Sequence, residues 1–211
     1  MNIVIKDNFY SDREREEARL LAISTPKSKA VDSNEFIFND LISGELRDTE
    51  NQEKMFSNLL NDDIVLGKNT YRKFNVCMND LGGHHIHHDD ADYIAIIYLN
   101  DEYSDADGTQ LLRHIETGTT FKNEELFGSE NISESYGDTR DITKWESYLK
   151  IQAKPGRLVI FEPQFYHSEM RTFGNSFDNA RCVEIFHMFK RDKVQEWLDL
   201  FGITKEEAEL I

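Results

Sequence analysis

Four of the chain's seven histidines and three aspartates fall within eleven residues, "GGHHIHHDDAD" (82–92). In an extended strand, residues i and i+2 point to the same face. His87 therefore shares a face with Asp89, and His88 shares the opposite face with Asp90. Either pair offers one imidazole and one carboxylate to a metal ion, and a third ligand has to come from elsewhere. His114, His167 and His187 are the candidates. The run "PGRLVIFEPQFYH" singles out His167, because a turn, an apolar strand and a histidine just past its end place an imidazole at a strand rim. Such a set of three leaves coordination positions open for exchangeable ligands.

The elements that must position these residues are mostly strands. "NIVIK" (2–6) is a short strand, and "SDREREEARLLAIS" (11–24) is a helix opened by Ser11 and Glu14 at capping-box spacing. A second helix runs through "DTENQEKMFSNLLND" (48–62), with Asp48 or Thr49 as N-cap and Met55, Phe56, Leu59 and Leu60 as its buried face. From about residue 64 the period becomes that of strands. "TYRKFNVCM" (70–78) alternates Phe74, Val76 and Met78 against polar or small residues, and "DYIAIIYLN" (92–100) is apolar enough to be covered on both faces. "GTQLLRHIE" (108–116), "YLKIQA" (148–153), "RLVIFEP" (157–163), "HSEMRTF" (167–173) and "RCVEIFHMF" (181–189) follow as strands, with "KPG" as a turn. The end, "DKVQEWLDLF" (192–201) and "TKEEAELI" (204–211), is helical, with Thr204 and Glu207 again at capping-box spacing. Short strands wrapped by helices at both ends predict a mainly β (α+β) fold, a sandwich or barrel, as a single domain over 1–211.

The composition restricts the partners. With 24 Lys and Arg against 40 Asp and Glu, the net charge of −16 repels nucleic-acid phosphate and anionic lipid, and no basic block offsets it. No apolar stretch approaches the length of a membrane span, and the N-terminus lacks the pattern of a signal peptide. Cys77 and Cys182 read as buried free thiols, so a cytoplasmic protein is expected.

Two histidines and one carboxylate on one octahedral face form the facial triad of non-haem Fe(II) oxygenases, whereas zinc favours a closed tetrahedron or three ligands and a water. The ordered pattern "IHHDD…YIAIIYLN…GTQLLRH…PGRLVIFEPQFYHSE…RCVEIF" resembles the Fe(II)/2-oxoglutarate-dependent oxygenases over roughly residues 71–190. It is most similar to the prolyl-hydroxylase-like branch, within a subgroup of bacterial and phage proteins. The resemblance implies a double-stranded β-helix, a jelly-roll barrel with Fe(2+) in its mouth and 2-oxoglutarate as cosubstrate. It assigns His87, Asp89 and His167 as metal ligands, the apolar Ile86 favouring this register over His88 with Asp90. Arg181, at the start of the last strand, takes the distal carboxylate of 2-oxoglutarate, and the Tyr98 hydroxyl adds a bond to it. Arg181-Cys182-Val183 lacks the "RxS" form seen in some branches, and Arg157 is the alternative clamp.

The activity so implied is a dioxygenase, a hydroxylase of a C–H bond that consumes O2 and releases succinate and CO2. Its substrate is a small molecule or a peptide side chain. The acidic 115–150 segment, with Glu124, Glu125, Glu130, Glu134, Asp138 and Asp141, reads as a lid that favours a neutral or cationic substrate. A cupin-like metal-binding jelly-roll without 2-oxoglutarate, whether lyase, isomerase or binding module, is the competing reading, since His85-Ile86-His87 also forms an HxH pair. Arg181 discriminates, having no task in that case. His84, His85 and His88 read as solvated or supporting residues. His114 is a core histidine, a partner to a ligand or a substrate contact, and Arg113 beside it is equally open. His187 reads as a core residue and Arg157 as a surface one.

Overall fold

A computed structural model describes residues 2–24, 28–31, 37–42, 49–66, 72–77, 86–89, 91–122 and 141–201. In chain order its elements are β1 (Ile3–Lys6), α1 (Asp12–Ser24), β2 (Ser28–Val31), β3 (Ile37–Ile42), α2 (Thr49–Leu60), β4 (Ile64–Leu66) and β5 (Arg72–Cys77). There follow β6 (Tyr93–Tyr98), β7 (Gly108–His114), β8 (Trp145–Gln152), β9 (Leu158–Phe161), β10 (His167–Glu169), β11 (Arg181–Lys190) and α3 (Arg191–Phe201). Asp48, Met78, His84, His85, Asp90, the acidic residues of 123–140 and the expected last helix at 204–211 lie outside the described residues.

The strands form two facing antiparallel sheets. The larger runs β1-β9-β6-β11-β4, and β5 also pairs with β11. β11 uses one edge for β6 and the other for β5 along Arg181–Phe186 and for β4 along Met188–Lys190. The smaller sheet runs β10-β7-β8, and a bridge between His87 and His167 adds the backbone around His87 to its β10 edge. β2 and β3 pair separately, and neither they nor the three-residue β4 was expected from the sequence.

Strand alternation sorts the apolar residues into two cores. Ile94, Ile96 and Tyr98 of β6, Val159 and Phe161 of β9 and Val183 of β11 meet Leu111 and Ile151 of the smaller sheet inside the barrel. Their neighbours Ala95, Ile97, Leu158, Ile160, Cys182, Phe186 and Met188 point outward, where Ala18 and Ala22 of α1 and Phe56 of α2 cover them. Every residue of β6 is buried, as its unbroken apolar run predicts. Both cysteines are buried and neither forms a disulfide. A third, small cluster of Ile86, Leu112, Trp145 and Tyr166 closes the outer side of the smaller sheet.

Local signals are met where they bear on the frame. The Glu14 carboxylate accepts from the Ser11 backbone N–H at 2.8 Å, and the Ser11 hydroxyl accepts from the Glu14 N–H at 3.3 Å, so the capping box is closed. The Pro155-Gly156 turn that launches β9 holds Gly156 at φ +66°, and a Cβ there would stand 2.6 Å from the Tyr10 carbonyl oxygen. Only glycine fits. Among the described residues, no helix is long and apolar enough to cross a membrane.

Candidate metal centre

Residues 86–89 run extended beside β10, so alternate side chains diverge. Ile86 joins Tyr166 in the outer cluster, and the His88 ring meets Tyr166 edge-on at a centroid distance of 5.6 Å. His87 and Asp89 therefore face the barrel interior. There one ligand atom each from His87, Asp89 and His167 lies within 4.8 Å of the other two. The structure brings together the first of the two registers and turns His88 away from it. His114 also lies elsewhere: it is buried against Trp145 with its Nδ1 3.0 Å from the Thr117 hydroxyl. Arg113 is exposed and pairs with Glu146.

The donor chemistry of this cluster fits a metal ion. His167 Nδ1–H donates to the Phe165 carbonyl at 2.9 Å. A carbonyl only accepts, so Nδ1 carries the proton and Nε2 presents a lone pair to the barrel. The ring is seated edge-on against Phe161 at 5.1 Å. Opposite the lone pair, at 3.4 Å, stands Asp89 Oδ2, buried and without a hydrogen bond among the described residues. Two lone pairs face to face in a buried site repel one another, and a cation between them removes the conflict. Burial, followed by the neighbouring His87, lowers the pKa of His167 and keeps it neutral for ligation.

The site is open on one side. Side-chain exposure falls from 32% at His87 and 25% at Asp89 to 4% at His167, so approach is from the His87 side.

A second polar group lies inside the barrel. Arg181, the first residue of β11, has the inward parity of Val183 and is 5% exposed. Among the described residues its guanidinium makes no hydrogen bond or ion pair. Burial works against its charge, yet Cys77, Glu169, Tyr98 and Tyr103 nearby keep its pKa above the ordinary value. Tyr98, fully buried, shares a 2.8 Å hydrogen bond with the Thr109 hydroxyl across the barrel, and burial raises its pKa. Arg157 differs: Asp7 and the Gln152 carbonyl take its donors, and only 11% of its side chain is exposed. It is a tied structural residue rather than a surface one, and no rival for the clamp.

One residue at the centre was not expected there. His187, read from the sequence as core, brings Nε2 to 3.5 Å from Asp89 Oδ2. The signal was present: from Arg181, steps of two along β11 reach Val183, Ile185 and His187, all on the barrel side.

No protein-family model and no curated protein matches the chain. Solved structures do. SnoN, a non-haem α-ketoglutarate-dependent epimerase from nogalamycin biosynthesis, is 12% identical with a TM-score of 0.57, over 89% of this chain and 76% of that one. SnoK, a non-haem α-ketoglutarate-dependent carbocyclase from the same biosynthesis, is 9% identical with a TM-score of 0.55, over 89% and 80% of the two chains. EctD from S. alaskensis, with 2-oxoglutarate and 5-hydroxyectoine bound, is 13% identical with a TM-score of 0.50, over 90% and 72%. At such identities the likeness speaks for the fold: the chain is built on the double-stranded β-helix of these 2-oxoglutarate-dependent enzymes.

Proposed function

We propose that the chain is an Fe(II)- and 2-oxoglutarate-dependent oxygenase that hydroxylates a C–H bond of a small-molecule or peptide substrate. The observation that carries this reading is the convergence of His87 and His167 on the buried Oδ2 of Asp89, in a barrel that also holds the Arg181 guanidinium, which has no hydrogen bond or ion pair among the described residues. When bound, iron with 2-oxoglutarate and O2 supplies the oxidising chemistry and releases succinate and CO2.

The chain's own residues have three tasks. His87, Asp89 and His167 hold the metal on one face and leave the remaining positions for exchangeable ligands. Arg181 gives a bidentate, charge-assisted grip to the distal carboxylate of 2-oxoglutarate, a local cation that a protein of net charge −16 must supply to attract a dianion. Tyr98 supports the same end with its hydroxyl, and the apolar lining from Ile94, Ile96, Val159 and Val183 excludes water. A cupin-type lyase would leave Arg181 without a task. Hydroxylation is our choice among the reactions this fold supports, since the similar structures include an epimerase and a carbocyclase. The acidity of the 115–150 segment, of which Glu116, Asp141 and Glu146 are described and exposed, would favour a neutral or cationic substrate if the segment covers the mouth. A single domain in the cytosol is part of this reading.

The test is spectroscopic. Fe(II) and 2-oxoglutarate are added without oxygen to the purified protein and to His167→Ala. A visible charge-transfer band that needs both additions and is lost in the variant is the expected result. Stoichiometric metal binding without a band would overturn the 2-oxoglutarate assignment in favour of the cupin-like reading.

A further inference from the structure

We infer that His187 is a positioning residue for the metal centre: its Nε2–H holds the Asp89 carboxylate from behind and presents it to the metal without being a ligand. The inference rests on the metal reading above and adds a residue to it.

Three imidazoles surround Asp89 Oδ2. His87 Nε2 is 4.0 Å away, His167 Nε2 3.4 Å and His187 Nε2 3.5 Å. They are not equivalent. The ligand atoms of His87, Asp89 and His167 all lie within 4.8 Å of one another, and His187 is not a member of that set. It approaches the carboxylate oxygen without approaching both other histidines, so it stands beside the triad rather than within it. A carboxylate oxygen accepts along more than one direction, and Oδ2 can serve a cation on one side and an N–H on the other.

The strand explains why the imidazole is there. β11 pairs His187 with Ile94 of β6, and Ile94, like Val183 and Ile185, belongs to the barrel interior. An imidazole beside Ile94, Val183 and Ile185, with a side chain 14% exposed, is costly to bury unless it meets an acceptor. The acceptor we assign to it is Asp89 Oδ2, 3.5 Å from Nε2 and without another hydrogen bond among the described residues. The arrangement also has a chemical reason: a fourth protein ligand would take one of the three positions that a bidentate cosubstrate and O2 require, whereas a hydrogen-bond donor leaves all three open. A carboxylate held by an N–H keeps a fixed rotamer and one ligating oxygen, and partners of this kind typically contribute about 10–100-fold to metal affinity.

The experiment uses the full chain, with Co(II) as the spectroscopic probe and Cu(II) for counting coordinated imidazoles by pulsed EPR. His187→Leu keeps the volume and removes the donor, while His187→Gln restores an N–H near the position of Nε2. The expected results are Co(II) affinity lowered about 10–100-fold in His187→Leu, recovery of most of it in His187→Gln, and two coordinated imidazoles in wild type and variants alike. Unchanged affinity in His187→Leu overturns the inference, as does a Gln variant no better than the Leu variant. Three imidazoles in wild type falling to two in His187→Leu also overturns it, by making His187 a ligand. Loss of Co(II) binding in His167→Ala with none in His187→Leu sinks this inference and leaves the metal reading standing. A wild-type protein that binds no Co(II) sinks both.

Discussion

The two faces of β11 carry opposite kinds of buried polar group. On the outer face, Glu184 lies fully buried among Cys182, Phe186 and Met188, and the Tyr10 hydroxyl donates to it at 2.8 Å. On the inner face, Arg181 and His187 flank Val183 and Ile185, and His187 brings Nε2 to 3.5 Å from Asp89 Oδ2. Glu184 is satisfied by the fold and helps tie the N-terminal segment to the sheet. Arg181 is a buried charge with no hydrogen bond or ion pair among the described residues, supported only at a distance by groups such as Glu169. On the proposed reading, ten residues of one strand separate groups that hold the structure from groups that serve the metal centre and its cosubstrate.

The contrast is broken most directly at Arg181. Arg181→Leu is expected to weaken 2-oxoglutarate binding by about 2–5 kcal/mol, roughly 30-fold to several thousandfold, with metal affinity retained. Titrating the charge-transfer band against 2-oxoglutarate measures it. The same variant is expected to leave the melting temperature of the metal-free protein unchanged or higher, because it removes a buried cation that has no ion-pair partner among the described residues. The outer face should behave in reverse. Tyr10→Phe is expected to cost about 1–3 kcal/mol of stability, since a buried acceptor loses its donor, and to leave Co(II) affinity at the wild-type value; a denaturant titration beside a metal titration separates the two. The smallest effect is in pH. Burial and the neighbouring His87 lower the pKa of His167, so its lone pair stays available until the pH is below the ordinary imidazole value of about 6.5. Co(II) affinity followed downward from neutral pH should hold to that region and fall beneath it. A decline starting near pH 8 would contradict neutral histidine ligation.

How far the sequence carries can be seen residue by residue. The spacing of His87 and Asp89 is legible because strand parity is a local rule, and so is the rim position of His167 after an apolar strand and turn. The choice between His87/Asp89 and His88/Asp90 is not local. It is decided by Tyr166, which lies on the outer side of the smaller sheet and meets Ile86 and the His88 ring there. His187 escaped for a related reason: "EIFHMF" looks like core from its neighbours, and only counting in twos from Arg181 places it on the inner face. β4 is three residues long, too short to display a period.

The order of assembly has a consequence for when metal can bind. β6 lies between β9 and β11, two partners from much later in the chain, so its two edges close only across long stretches of sequence. Folds dominated by such distant pairings form slowly. Asp89 cannot meet His187 until β11 has docked, nor His167 until β10 has. On the proposed reading, metal capture is therefore a late event in folding. In a refolding experiment, the appearance of the Co(II) spectrum would serve as a clock for completion of the barrel, lagging behind the secondary-structure signal by the time the last strand takes to find its place.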